Sequence, residues 1–120
     1  MTIEECYKKM GADYAEIISR LGSEKLVDRF LLKFPIDPSM NQLRDAVAAG
    51  NIENSFSAAH TLKGVTANLS FTALMKAASA LTEQLRPKNQ VADEELMKAV
   101  EEQYAITIDA INEYAATREA

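Results

Sequence analysis

The chain has 120 residues, 48% of them hydrophobic and 26% charged, a composition typical of one globular domain with its own core. Its 13 basic and 18 acidic residues give a net charge of −5, and the scattered lysines and arginines argue against nucleic-acid binding, which needs clustered cations. The single cysteine, Cys6, excludes an internal disulfide and has no second cysteine with which to share a metal.

Glycines and prolines divide the N-terminal half of the chain into short helical patterns. Thr2 and Glu5 have the spacing of a capping box, which predicts a helix over 2–10. Further helices are predicted over 12–20, 24–34 and 38–49. Their apolar faces are expected to contain Tyr14, Ile17, Ile18 and Leu21, then Leu26, Val27, Phe30, Leu31 and Phe34, and finally Met40, Leu43 and Val47.

Longer helical patterns fill the C-terminal half, over 52–69, over 71–86, and from a cap at Asp93 to about residue 117. Pro87-Lys88-Asn89 is predicted to be a turn. The inward residues of the last two helices are expected to be Leu74, Ala78, Leu81 and Leu85, then Leu96, Val100, Tyr104, Ile108, Ile111 and Ala115. No segment alternates as a strand does, so we predict an all-α antiparallel four-helix bundle with additional short N-terminal helices.

The predicted helix over 52–69 has a histidine on the side away from its apolar stripe. On a wheel of 3.6 residues per turn, His60 lies almost opposite the stripe, and a broad polar and small-residue face surrounds it. The stripe consists of Ala58, Leu62, Val65 and Leu69, with Ser55 and Thr66 at its margin. The outer face around His60 carries Glu53, Phe56, Ser57, Lys63, Gly64 and Ala67.

Gly64 is unusual because it lies in the middle of a helix, where glycine costs about 1 kcal/mol relative to alanine. It follows His60 by four residues, so it lies beside His60 on the helix surface, and Ala67 extends the cleared area by one turn. Another protein could therefore approach the imidazole closely, with Lys63 near enough to attract a phosphoryl group. A neutral imidazole is a nucleophile at physiological pH, and phosphoryl transfer depends mainly on positioning and charge neutralisation.

These residues resemble a known family. Ala58-Ala59-His60-Thr61-Leu62-Lys63-Gly64, followed by Ala67-Asn68-Leu69, is similar to the signature of histidine-containing phosphotransfer (HPt) domains. The resemblance implies that His60 is the phosphoacceptor, with Lys63 as electrostatic support and Gly64 as the residue that gives access. It also implies the family's bundle fold and its partners, which are receiver domains of response regulators and hybrid sensor histidine kinases.

The remaining site assignments come from the same face and from the family pattern. We expect a receiver domain to contact Phe56, Ser57, Ala67, Asn68, Thr82 and Arg86. Many members have glycine at the position of Ser70, which we expect to cap the next helix instead. Many also have Glu or Gln, which can hydrogen-bond the histidine, at the position of Thr82. Thr82 acting through water and Glu83 are therefore the two candidates to orient the His60 ring.

The expected protein is a phosphoryl carrier without enzymatic turnover, and it has no cofactor or metal site of its own. Mg²⁺ and the second reacting carboxylate are expected from the receiver. No apolar run is long enough to span a membrane and the N-terminus is acidic, so we expect a cytoplasmic monomer with no membrane partner.

The sequence leaves several alternative interpretations open. His60 and Lys63 could be ordinary solvated residues, and Phe56 could pack against a short helix. The whole chain could be an adaptor bundle that binds receivers or kinases without being phosphorylated. Met1 and the C-terminus favour a free-standing protein of 1–120, although a domain excised from a kinase would look similar.

Overall fold

A computed structural model describes residues 1–119, with side chains up to residue 118. Within that range the regular structure is helical throughout, which confirms the all-α prediction. A 3-10 turn at Phe34–Ile36 joins the third and fourth helices. The α-helices in chain order are α1 (Ile3–Lys9), α2 (Tyr14–Leu21), α3 (Glu24–Lys33), α4 (Ser39–Ala48), α5 (Ile52–Asn68), α6 (Thr72–Leu85) and α7 (Glu94–Glu119).

Local capping residues explain where most of these helices begin. Thr2 and Glu5 form the predicted capping box, in which each side chain accepts a hydrogen bond from the other residue's backbone N–H. The side chains of Ser23, Asn51 and Asp93 accept backbone hydrogen bonds at the starts of α3, α5 and α7. Because these signals are local, the observed helix boundaries lie within about two residues of the predicted ones.

Two connections differ from the sequence prediction. The helix predicted over 24–34 ends at Lys33, and the chain tightens into the 3-10 turn because Pro35 has no N–H with which to continue an α-helix. Ser70 does not cap α6: its hydroxyl donates to Glu16 over 2.7 Å, and its φ is +58°. The left-handed backbone at Ser70 is the conformation that glycine adopts most readily, so a glycine would suit this turn.

The core lies where the helices pack against one another. Helix α5 contacts both α4 and α6, and α6 in turn contacts α7. The start of α5 meets the residues just after α6, since Lys88 forms an ion pair with Glu53 at 2.9 Å, so α5 and α6 run antiparallel. The helical bundle is thus confirmed, and the full antiparallel arrangement of four helices stays a prediction. Large fully buried side chains include Tyr7, Met10, Ile17, Leu31, Leu43, Leu62, Phe71 and Ile111.

The buried faces of α5 and α7 are rotated from the predicted stripes. In α5, Ala59 and Thr66 are fully buried whereas Val65 and Leu69 are half-buried, because α5 is packed between two neighbouring helices rather than against one. The Thr66 hydroxyl is buried without penalty because it donates to the Leu62 carbonyl over 2.8 Å. In α7 the fully or nearly buried residues are Val100, Thr107, Ala110, Ile111 and Tyr114, while Leu96, Tyr104, Ile108 and Ala115 are half-buried.

The burial of two further residues, Phe30 and Cys6, can be compared with the sequence analysis. Phe30, predicted on the inner face of its helix, is 40% exposed. Cys6 is fully buried and its thiol donates to the Ala110 carbonyl over 3.4 Å. Burial raises the pKa of the Cys6 thiol to about 11, so it stays protonated at neutral pH and acts as a small apolar residue.

Candidate functional site

The candidate site occupies the exposed face of α5. Its buried face, Ser55, Ala58, Ala59, Leu62 and Thr66, holds the helix against the core. His60 lies outside this face and is exposed, as the helical wheel predicts. The fold therefore fixes the helix firmly while leaving the imidazole in contact with solvent.

Gly64 leaves open space beside His60. A Cβ built at Gly64 would have no heavy atom within 4 Å outside its own helix, and its φ is not in the left-handed region. Neither packing nor backbone conformation requires glycine at this position. Ala67 is half-buried and Asn68 is exposed one turn further along α5, so the surface beyond His60 carries small or polar side chains.

Charged residues flank the imidazole on two sides. Lys63 is half-buried, and none of the ion pairs among the described side chains includes it. Arg86, at the end of α6, donates to the Glu83 carboxylate over 2.9 and 3.0 Å. This contact holds the pKa of Glu83 below its usual value, with smaller contributions from Lys63 and His60. Glu83 therefore lies within electrostatic range of both site residues and is ionised at neutral pH.

An aromatic ring covers one side of His60. Phe56, one helical turn earlier, is half-buried and its ring lies nearly parallel to the imidazole, with centroids 5.9 Å apart and an angle of 13° between the planes. The Arg86 guanidinium lies 5.4 Å from the Phe56 ring centroid and the Lys88 ammonium 4.8 Å from it. These are favourable cation–π distances.

The structure contradicts the predicted role of Thr82 as a contact residue for a receiver domain. It is fully buried, and its hydroxyl donates to the Ala78 carbonyl over 2.7 Å, so it cannot meet a partner or orient His60 through water. The Glu83 carboxylate is held by Arg86 and forms no hydrogen bond with His60 among those of the described residues. Ser57 and Arg86 are exposed, which leaves both available to a partner.

Sequence reasoning missed two basic residues near this face. Lys88, read only as part of a turn, reaches Glu53 across 35 positions of the chain. Arg20 on α2 donates to the Ala67 carbonyl over 2.6 Å, across 47 positions. No local signal could have identified either contact, because both depend on how distant helices pack.

Two hollows adjoin α5, and His60 lines neither of them. A polar cleft of about 460 Å³ is lined by residues of α4 and α5 that include Asp45, Asn54 and Thr61. An apolar hollow of about 280 Å³ is lined by Phe30, Phe34, Val65 and Leu69, with Asn68 at its edge. Within residues 1–119 no group of three or more His, Cys, Asp or Glu side chains could hold a metal ion. In the same range no helix is long and apolar enough to cross a bilayer.

Comparison with known proteins identifies the family of the chain. A family model described as "Hpt domain" matches residues 26–113, which is well over half of the chain. The chain belongs to the Hpt domain family. No curated protein and no solved structure matches it. Membership implies that the protein takes part in histidine phosphotransfer in phosphorelays, in which Hpt domains act as phosphocarriers and interact with receiver domains and kinases.

Proposed function

We propose that this Hpt protein carries phosphoryl groups on His60, accepting them from the aspartyl phosphate of one receiver domain and delivering them to the aspartate of another. One observation carries the proposal: His60 is exposed on α5, and the neighbouring Gly64 faces open space although no packing requires glycine there. A receiver active site needs such clearance, because the reacting atoms have to come within about 3–3.5 Å of each other.

The transfer step needs little chemistry from this chain. The lone pair of an unprotonated imidazole nitrogen attacks phosphorus, the N–P bond forms, and the P–O bond to the receiver aspartate breaks with its electron pair left on the carboxylate. The reverse step delivers the group to a second receiver. Because no proton leaves the attacking nitrogen, the site needs no general base, and Lys63 supplies part of the charge neutralisation.

The rest of the reaction centre belongs to the partner in this proposal. Mg²⁺ and the aspartate come from the receiver, and a hybrid sensor histidine kinase is the proposed phosphate source upstream. The carrier itself acts as a cytoplasmic monomer without turnover of its own. Phe56, Ser57, Ala67, Asn68 and Arg86 form the proposed contact surface around His60.

The test uses the fact that His60 is the chain's only histidine. A receiver domain carrying radioactive phosphate should label the wild-type protein, and the label should be lost in acid and kept in base. A His60→Gln variant should fold normally, because His60 is exposed, and should take up no label. Equal labelling of this variant would refute the proposal. Binding to receivers without labelling of the wild type would instead favour the adaptor function.

A further inference from the structure

The orientation of the His60 ring needs a physical cause, because no side chain of the described residues forms a hydrogen bond with it. Thr82 is buried, and the Glu83 carboxylate binds Arg86 instead of His60. Neither of the two residues that the sequence suggested therefore orients the ring. A free imidazole on a helix surface rotates about its side-chain bonds, and this rotation would scatter the direction of its nucleophilic nitrogen. The structure shows one group that can restrain it, the ring of Phe56.

We propose that Phe56 is a positioning residue for His60, holding the imidazole plane by ring stacking; this inference rests on the proposed carrier function. The two residues are four positions apart, the spacing at which helical side chains meet. The centroid distance of 5.9 Å and the angle of 13° describe an offset stack of the kind that aromatic pairs favour. Stacking uses the face of the imidazole and leaves both ring nitrogens, which lie in the ring plane, open to a partner.

Phe56 is itself held in place from α6 and the turn after it. Arg86 and Lys88 both lie against its ring, at 5.4 and 4.8 Å from the centroid. Each cation is tied down by a carboxylate, Arg86 by Glu83 and Lys88 by Glu53. Two neighbouring elements therefore fix the aromatic ring, and the ring in turn fixes His60. Because each of these cations is paired with a carboxylate, the arrangement holds the ring without adding net charge beside the imidazole.

The experiment compares Phe56→Leu with Phe56→Tyr. Leucine keeps apolar bulk but removes the ring, whereas tyrosine keeps the stacking face and should restore wild-type behaviour. Phe30→Leu is a matched control, since Phe30 is also an accessible aromatic residue but lies outside the stack with His60. Circular dichroism and thermal melting establish that each variant is folded before it is assayed.

Two readouts separate positioning from a docking role. The imidazole proton resonances of His60, unambiguous because there is one histidine, should lose the ring-current shift in Phe56→Leu and keep it in Phe56→Tyr. At saturating receiver, the transfer rate of Phe56→Leu should fall about tenfold, as expected for a misplaced reacting group, while Kd changes less than about twofold. Phe30→Leu should match the wild type in both readouts.

Each other outcome has a defined meaning. Unchanged His60 resonances in Phe56→Leu would overturn the positioning role, and so would a loss confined to Kd, which would make Phe56 a docking contact only. A wild-type protein that accepts no phosphate from any receiver would overturn the proposed function and this inference with it. That result appears in the wild type, whereas failure of the positioning role alone appears only in the variant.

Discussion

Replacing Gly64 with glutamine should change the stability of the protein and its phosphotransfer rate in opposite directions. A Cβ at this position would meet no heavy atom within 4 Å outside its own helix, so packing does not oppose a side chain that begins there. Removing a glycine from a helix interior gains about 1 kcal/mol. For a domain of this size we expect the melting temperature to rise by about 3–5 °C.

The same substitution should nearly abolish phosphotransfer. Residues four apart on a helix have Cβ atoms about 5–6 Å from each other, so a glutamine side chain at position 64 would occupy the space beside the imidazole. A receiver that has to bring phosphorus to about 3–3.5 Å from the ring nitrogen would be displaced, and displacements near 1 Å cost about 100-fold in rate. We therefore expect at least this loss in the initial rate of labelling from a phosphorylated receiver.

Two control variants make the Gly64 test specific. Gly64→Ala should show the same gain in stability with a smaller loss of transfer, because its side chain is short. Ala105→Gln places the same glutamine on an exposed position of α7 and should leave transfer unchanged. A fall of several degrees in the melting temperature of Gly64→Gln would show that glycine serves packing. Normal transfer by a stable Gly64→Gln would show that receivers do not approach from this side.

Three further predictions concern Lys63, Ser70 and Tyr114. Lys63→Gln should slow transfer about tenfold, which is the effect of losing one charge-assisted contact. The free energy of unfolding in urea should change by less than about 0.5 kcal/mol. A normal transfer rate would make Lys63 an ordinary surface residue. Ser70→Gly should be more stable in urea than Ser70→Ala by about 1 kcal/mol. Both variants lose the hydrogen bond to Glu16, but only glycine adopts the positive φ at this position without strain. Equal stabilities of the two variants would contradict this explanation. Burial and a 2.6 Å hydrogen bond to Asp28 raise the pKa of Tyr114 to about 12, above the unfolded value of about 10. Its contribution to stability is therefore complete below pH of about 10 and is lost as the pH rises toward about 12, so urea unfolding of Tyr114→Phe should show a shallower alkaline decline than the wild type.

The sequence predicted the helices well because their ends are determined locally. Gly22 adopts a φ of +78° at the end of α2, and Ser23 caps the next helix immediately afterwards. Pro35 ends an α-helix whatever the rest of the fold does. Such signals act within one turn of helix, so they can be read from the residues alone.

The rotation of a helix in the bundle was harder to predict. A wheel finds the centre of an apolar stripe, and in α5 it placed Val65 and Leu69 inside. The structure buries Ala59 and Thr66 more completely because α5 packs against α4 and α6 together. Small and hydroxyl-bearing residues suit such close helix contacts, and they carry little weight in a count of hydrophobic positions. His60 was placed correctly because it lies far enough from the stripe for this rotation not to matter.

The electrostatic character of the site follows from contacts that the sequence could not show. Glu53 and Glu83 would oppose a phosphoryl group on His60 if they stood alone, since both lie on the same side of the bundle. Lys88 and Arg86 pair with them, and these half-exposed pairs contribute little to stability. Their consequence is to balance the negative charge near the imidazole, which leaves Lys63 as the excess positive charge of the site. If His60 carries the phosphoryl group as proposed, these five side chains would present it with one excess positive charge, within a chain whose overall charge is −5.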